Sequence, residues 1–99
     1  MIIKGSHTTK ADFTIKFLKH IDAIDGVQSV VLGQIVNKRS SSRMSNNFIR
    51  AKLDIINDTQ LKIILSHNKL VQVLYVNTDS ADLVKKKIVE KPTKRFEYK

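Results

Sequence analysis

The spacing of apolar positions divides the chain into a helix, a run of strands and a second helix. Phe13, Phe17, Ile21 and Ile24 recur at i, i+4, i+8 and i+11, which lines one side of an α-helix. Thr9-Lys10-Ala11-Asp12 precedes them in the form of a capping box, so the helix is expected to start near Thr9. Gly26 stands where a left-handed C-cap belongs, and Lys16 and Lys19 fall on the solvent side. From Val27 to Asn37 the chain is rich in β-branched residues and reads as a strand, with Gly33 marking a bulge or a close backbone approach. Lys38 to Asn47 carries almost nothing apolar and reads as a long loop.

Phe48 to Ile56 alternates: Ile49, Ala51, Leu53 and Ile55 face one way, and Phe48, Arg50, Lys52 and Asp54 the other. Asn57-Asp58-Thr59 is a turn, after which Leu61, Ile63 and Leu65 continue the inward set. His67-Asn68-Lys69 is a second tight turn. Leu70 to Val76 is apolar almost throughout, as expected of a central strand or one covered on both faces. Thr78 and Asp79 are both competent caps for a last helix whose buried side is Ala81, Val84 and Ile88 and which Pro92 ends. The order α-β-β-β-β-α predicts a two-layer α+β domain over residues 1–91 and a basic C-terminal tail over 92–99. If consecutive strands are neighbours, the sheet is antiparallel. The two helices then cover one face and leave the other to water or a partner.

Composition narrows the function. Ninety-nine residues, 41% of them hydrophobic, make one small core. No apolar run reaches the roughly 18 residues that span a bilayer, and the N-terminus lacks the apolar stretch of a secretory signal, so a cytoplasmic protein is expected. The absence of cysteine excludes disulfides, thiolate zinc sites and cysteine nucleophiles. No P-loop, GxGxxG, HExxH or GxSxG motif is present, and no cofactor or enzymatic activity is called for.

Charge points to a partner. Eighteen Lys and Arg against nine Asp and Glu give +9, a field that attracts polyanions, nucleic acid foremost. The same Lys-, Ile- and Asn-rich usage also follows from AT-rich coding alone. Two clusters are candidates for phosphate contacts. The first is Lys38, Arg39, Arg43, Arg50 and Lys52, with Phe48 placed to stack a base or else to fold over the sheet edge. The second is Lys85, Lys86 and Lys87, followed by Lys94 and Arg95 in the tail. With no helix-turn-helix or zinc-finger signature, RNA is favoured over DNA. The alternatives are metal binding by His7, His20 and His67, with Asp12 as a carboxylate ligand, and self-association through the open sheet face or an edge strand.

His7-Thr8-Thr9 before the helix, Gly26-Val27-Gln28-Ser29-Val30-Val31 after it, and Lys69-Leu70-Val71-Gln72-Val73-Leu74-Tyr75-Val76 before the last helix carry a resemblance. In these segments the chain resembles a family of small prokaryotic proteins described as predicted metal-binding, over about residues 5 to 90. That resemblance implies His7 as a ligand. The order of elements is also similar to double-stranded-RNA-binding domains and to the Alu-binding proteins of the signal recognition particle, an analogy at the level of fold.

Overall fold

A computed structural model describes residues 2–4, 11–37, 49–67, 70–90 and 96–98. Its elements run β1 (Ile2–Lys4), α1 (Asp12–Asp22), β2 (Val27–Asn37), β3 (Ile49–Asn57), β4 (Gln60–His67), β5 (Leu70–Thr78), α2 (Ala81–Glu90) and β6 (Phe96–Tyr98). The α-β-β-β-β-α order, the antiparallel central sheet and the α+β class are those expected from the apolar spacing. Two short strands flank it: β1 runs parallel to β2, and β6, within the residues assigned to the tail, runs parallel to β3.

The strand order is β1-β2-β5-β4-β3-β6, so β2 lies beside β5 rather than beside β3. This corrects the neighbour assumption for one pair. Hairpins join β3, β4 and β5 as consecutive neighbours. The longer link over 38–48 lets β2 cross three strand spacings, about 14 Å, and pair with the apolar β5 in a Greek-key order. The result places the apolar β5 between β2 and β4 near the middle of the sheet.

Alternation within each strand makes the sheet one-sided. Ala51 and Leu53, Leu61, Ile63 and Leu65, and Leu74 and Val76 are buried on one face with Val30 and Leu32. Phe13, Phe17, Leu18, Ile21 and Ile24 of the first helical segment, and Ala81, Val84 and Ile88 of α2, complete that core. Ile55, expected inward, is 43% exposed. It lies on β3 beyond Ala51, where pairing with β6 ends, next to a register shift between Ile55 and Asn57.

Helix ends depart from the expected caps. The N-cap of α1 is Ala11, which supplies no side-chain cap, and Thr9 lies outside the described residues. Ser80, not Thr78 or Asp79, caps α2: its carbonyl accepts from the Val84 N–H at 3.0 Å and its hydroxyl from the Leu83 N–H at 3.5 Å. Thr78 is still the last residue of β5, and Asp79 instead accepts a hydrogen bond from the Gln28 amide. Gly26 adopts φ 100° as expected of a glycine there. It serves the turn into β2, since α1 already stops at the C-cap Ala23. Gly33 sits in the register shift between Leu32 and Ile35, where a Cβ would stand 3.0 Å from the Val73 carbonyl oxygen.

One buried polar group ties these parts together. Gln72, fully buried on β5, accepts from the Thr14 hydroxyl at 2.6 Å and, more weakly, from the Ala11 N–H at 3.5 Å. Its amide nitrogen donates to the Gly33 carbonyl at 2.9 Å, so one side chain joins α1, β5 and the bulge of β2. Leucine at position 72 would leave the Thr14 hydroxyl and the Gly33 carbonyl without this partner. Gln72→Leu is therefore expected to lower stability by about 2–4 kcal/mol in urea unfolding, and a loss under about 1 kcal/mol would show the amide to be dispensable. The opposite sign is expected at Thr78, whose buried hydroxyl oxygen has no hydrogen-bond partner among the described residues. Thr78→Val keeps the branched shape and removes the unpaired group, so stability should hold or rise by about 0.5–1 kcal/mol in the same measurement.

Candidate functional site

The cations fall into three groups once the fold is in place. Arg50 and Lys52 of β3 are exposed on the sheet face opposite the helices, as their alternation with Ala51 and Leu53 requires. On that face Arg50 is level with Ser66, Lys52 with Ile64, and Asp54 with Lys62, so an acid and a base stand opposite each other in the outer row. The second group is on α2. Lys86 forms an ion pair with Asp82 at 3.7 Å, an exposed i,i+4 contact of small energetic weight, and Lys87 Nζ lies 3.4 Å from the Asp25 carbonyl oxygen. Lys85 is half-buried.

Because α2 packs on the core face through Ala81, Val84 and Ile88, the sheet itself stands between Lys85–Lys87 and the pair Arg50 and Lys52. The two candidate clusters therefore do not share one face: α2 covers the inward residues of β3, whereas Arg50 and Lys52 point outward.

The third group lies outside the described residues: Lys38, Arg39, Arg43, Lys94 and Arg95, together with the candidate stacker Phe48. Its importance shows in the charge count. The described residues carry Lys4, Lys16, Lys19, Arg50, Lys52, Lys62, Lys85, Lys86 and Lys87, which balance all nine acids of the chain. The whole +9 therefore belongs to the remaining segments.

Strand direction says where those segments join the fold. Asn37 is level with Leu70, Leu70 with His67, Ser66 with Arg50, and Ile49 with Phe96, so five strand ends meet at one end of the sheet. Segments 38–48 and 68–69 connect ends within this set, and 91–95 leads into Phe96. Segment 5–10 leads into Ala11, held beside Gln72 near the same end. Together they contain Lys10, Lys38, Arg39, Arg43, Lys69, Lys91, Lys94 and Arg95 and no Asp or Glu. Sequence reading found the loop and the tail separately. Their common end was hidden, because it depends on which way each strand runs.

Two of the three histidines are described. His67, the last residue of β4, lies with its ring centroid 6.0 Å from Phe13, and His20 lies 6.1 Å from Phe17, each in tilted packing. They lean on successive turns of α1, an ordinary role for an imidazole at a core margin. His7 lies outside the described residues, and among the described residues no three His, Asp or Glu side chains come together as a metal-ligating group. Asp12 is exposed at the first turn of α1. The side chains that are described thus do not by themselves fit a metal centre. Among the described residues no helix is long and apolar enough to cross a membrane.

Comparison with known proteins found no match among curated proteins and none among solved structures. One family model matches, over residues 2–94, from β1 through the end of α2 and into the segment before β6. On that match the chain belongs to the family described as predicted metal-binding protein (DUF2103).

Proposed function

We propose that this protein is a small nucleic-acid-binding module, RNA ahead of DNA, acting in the cytoplasm by binding and not by catalysis. The observation that carries this reading is the separation of charge. The described fold is balanced, and eight cations without an acid belong to segments joined at one end of the sheet. Cations concentrated in this way meet a phosphate backbone without the repulsion that interspersed carboxylates would add. The Ser- and Asn-rich stretch Ser40-Ser41-Ser42-Arg43-Met44-Ser45-Asn46-Asn47 adds side chains of the types that reach phosphate and sugar oxygens. The α2 lysines have a lesser part, since Lys86 is paired with Asp82 and Lys87 reaches the Asp25 carbonyl.

Binding of labelled single-stranded RNA, duplex RNA and duplex DNA, followed by anisotropy between about 50 and 200 mM salt, tests this. Replacing Lys38, Arg39 and Arg43 together by alanine should flatten the salt slope by about two to three units. Replacing Lys85, Lys86 and Lys87 should change it by less than one. Equal effects of the two triple variants, or binding that vanishes at the higher salt for every substrate, would sink the assignment.

Metal binding is the second reading, and the family description favours it. His67 stands at the same end of the sheet into which the segment bearing His7 leads, so the two imidazoles are the pair to test. Equilibrium dialysis against zinc, nickel and copper should then show one ion per chain, lost in both His67→Ala and His7→Ala. Failure to take up any of the three ions stoichiometrically ends this reading.

A further inference from the structure

The face of the sheet away from the helices carries its side chains in three rows set by strand register. Arg50, Ser66, Val71 and Val36 form the first, and Lys52, Ile64 and Val73 the second. Asp54, Lys62, Tyr75 and Val31 form the third. No described element covers them, and Val36 is 56% exposed. Apolar side chains thus dominate the β2 and β5 part of the face, β4 contributes Ser66, Ile64 and Lys62, and charges of both signs fill the β3 part.

We infer that this face is the seat of a second copy of the chain, related by a twofold axis that crosses the strands along the Ile64–Val73 row. Turning the sheet about that axis exchanges the first row with the third. Arg50 then faces Asp54 of the second copy, Val71 faces Tyr75, and Val36 faces Val31. Ile64 and Val73 meet their own counterparts at the axis, and the like-charged Lys52 pair falls at the rim, where water screens it. An axis parallel to the strands would instead lay the charged β3 side over the valines of β2. The pattern therefore selects one twofold, and the contact is self-complementary as an isologous interface must be.

Four strands at about 4.8 Å spacing and the roughly six residues per strand that the three rows span, at about 3.3 Å rise, give roughly 380 Å² per copy, or about 760 Å² for the pair. That is the size of a weak, concentration-dependent contact, in which the two sheets would pack as an aligned β-sandwich.

Sedimentation velocity across a concentration series, in buffer of about 0.15 M salt, reads this directly. The wild-type chain should reach a mass about twice the monomer's 11.3 kDa. Val73→Asp sets two carboxylates against each other at the axis and should weaken the dimer at least about 100-fold. Ile64→Lys should do the same, and an unchanged circular dichroism spectrum and unfolding midpoint show that each variant folds. Arg50→Asp and Asp54→Arg should each weaken association, while the double exchange R50D/D54R restores it to within about tenfold. A wild-type chain that stays monomeric up to about 1 mM overturns the proposal, as does a dimer indifferent to Val73→Asp and Ile64→Lys. If the wild type is monomeric and Val73→Asp abolishes RNA binding, the face belongs to nucleic acid and not to a second copy. Salt-dependent RNA binding by a monomeric wild type would leave the polyanion reading standing while this one falls.

Discussion

An amide buried among apolar side chains has to find partners for both its oxygen and its nitrogen, and Gln72 finds them on two other elements. The oxygen takes the Thr14 hydroxyl of α1, and the nitrogen gives its proton to the Gly33 carbonyl of β2. Each contact alone is worth about 1 kcal/mol net, but leaving any one of these groups unpaired costs about 1–3 kcal/mol. The constraint therefore acts mainly against alternatives. A slip of β5 by one residue would send Gln72 to the open face and bring Val71 or Val73 inward. A shift of α1 would strand Thr14, which is itself fully buried. Since Ala11 gives α1 no side-chain cap, the same glutamine also helps to define where that helix begins.

With α1 held on one face by this contact and α2 by Val84 and Ile88, no described element covers the other face, and the chemistry of the described residues divides accordingly. One face is core. The opposite face mixes valines with Arg50, Lys52, Asp54 and Lys62. Eight of the nine cations that make up the positive excess belong to segments that join the described strands at one end of the sheet. In the face-to-face arrangement two such ends would lie on opposite sides of the pair, because the twofold reverses strand direction.

Periodicity made much of the fold legible before any coordinates. The Phe13, Phe17, Ile21 and Ile24 stripe, the limits of β2 and the inward set Leu61, Ile63, Leu65 stand as read, and of the inward set on β3 Ile49, Ala51 and Leu53 do while Ile55 does not. Those features are local, since a side chain's face follows from its neighbours two or four residues away. The caps were less legible, because Thr78, Asp79 and Ser80 have similar capping chemistry and only the ladder to β2 and β4 decides which is still strand. The strands β1 and β6 were missed. Three residues carry too little alternation to announce a strand, and each is paired by a partner distant in the chain.

For the candidate sites the division is sharper. The sequence by itself determined the amount of charge, the absence of cysteine, and the one-sidedness of each helix and strand, because these depend on composition and short-range spacing. It could not determine that Lys85–Lys87 and Arg50 lie on opposite sides of the sheet, that β2 seeks β5, or that Gln72 joins Thr14 to Gly33. Those facts are contacts between residues tens of positions apart. They are chosen by which buried faces fit together, a property that belongs to no single stretch of chain and exists only once the layers have packed.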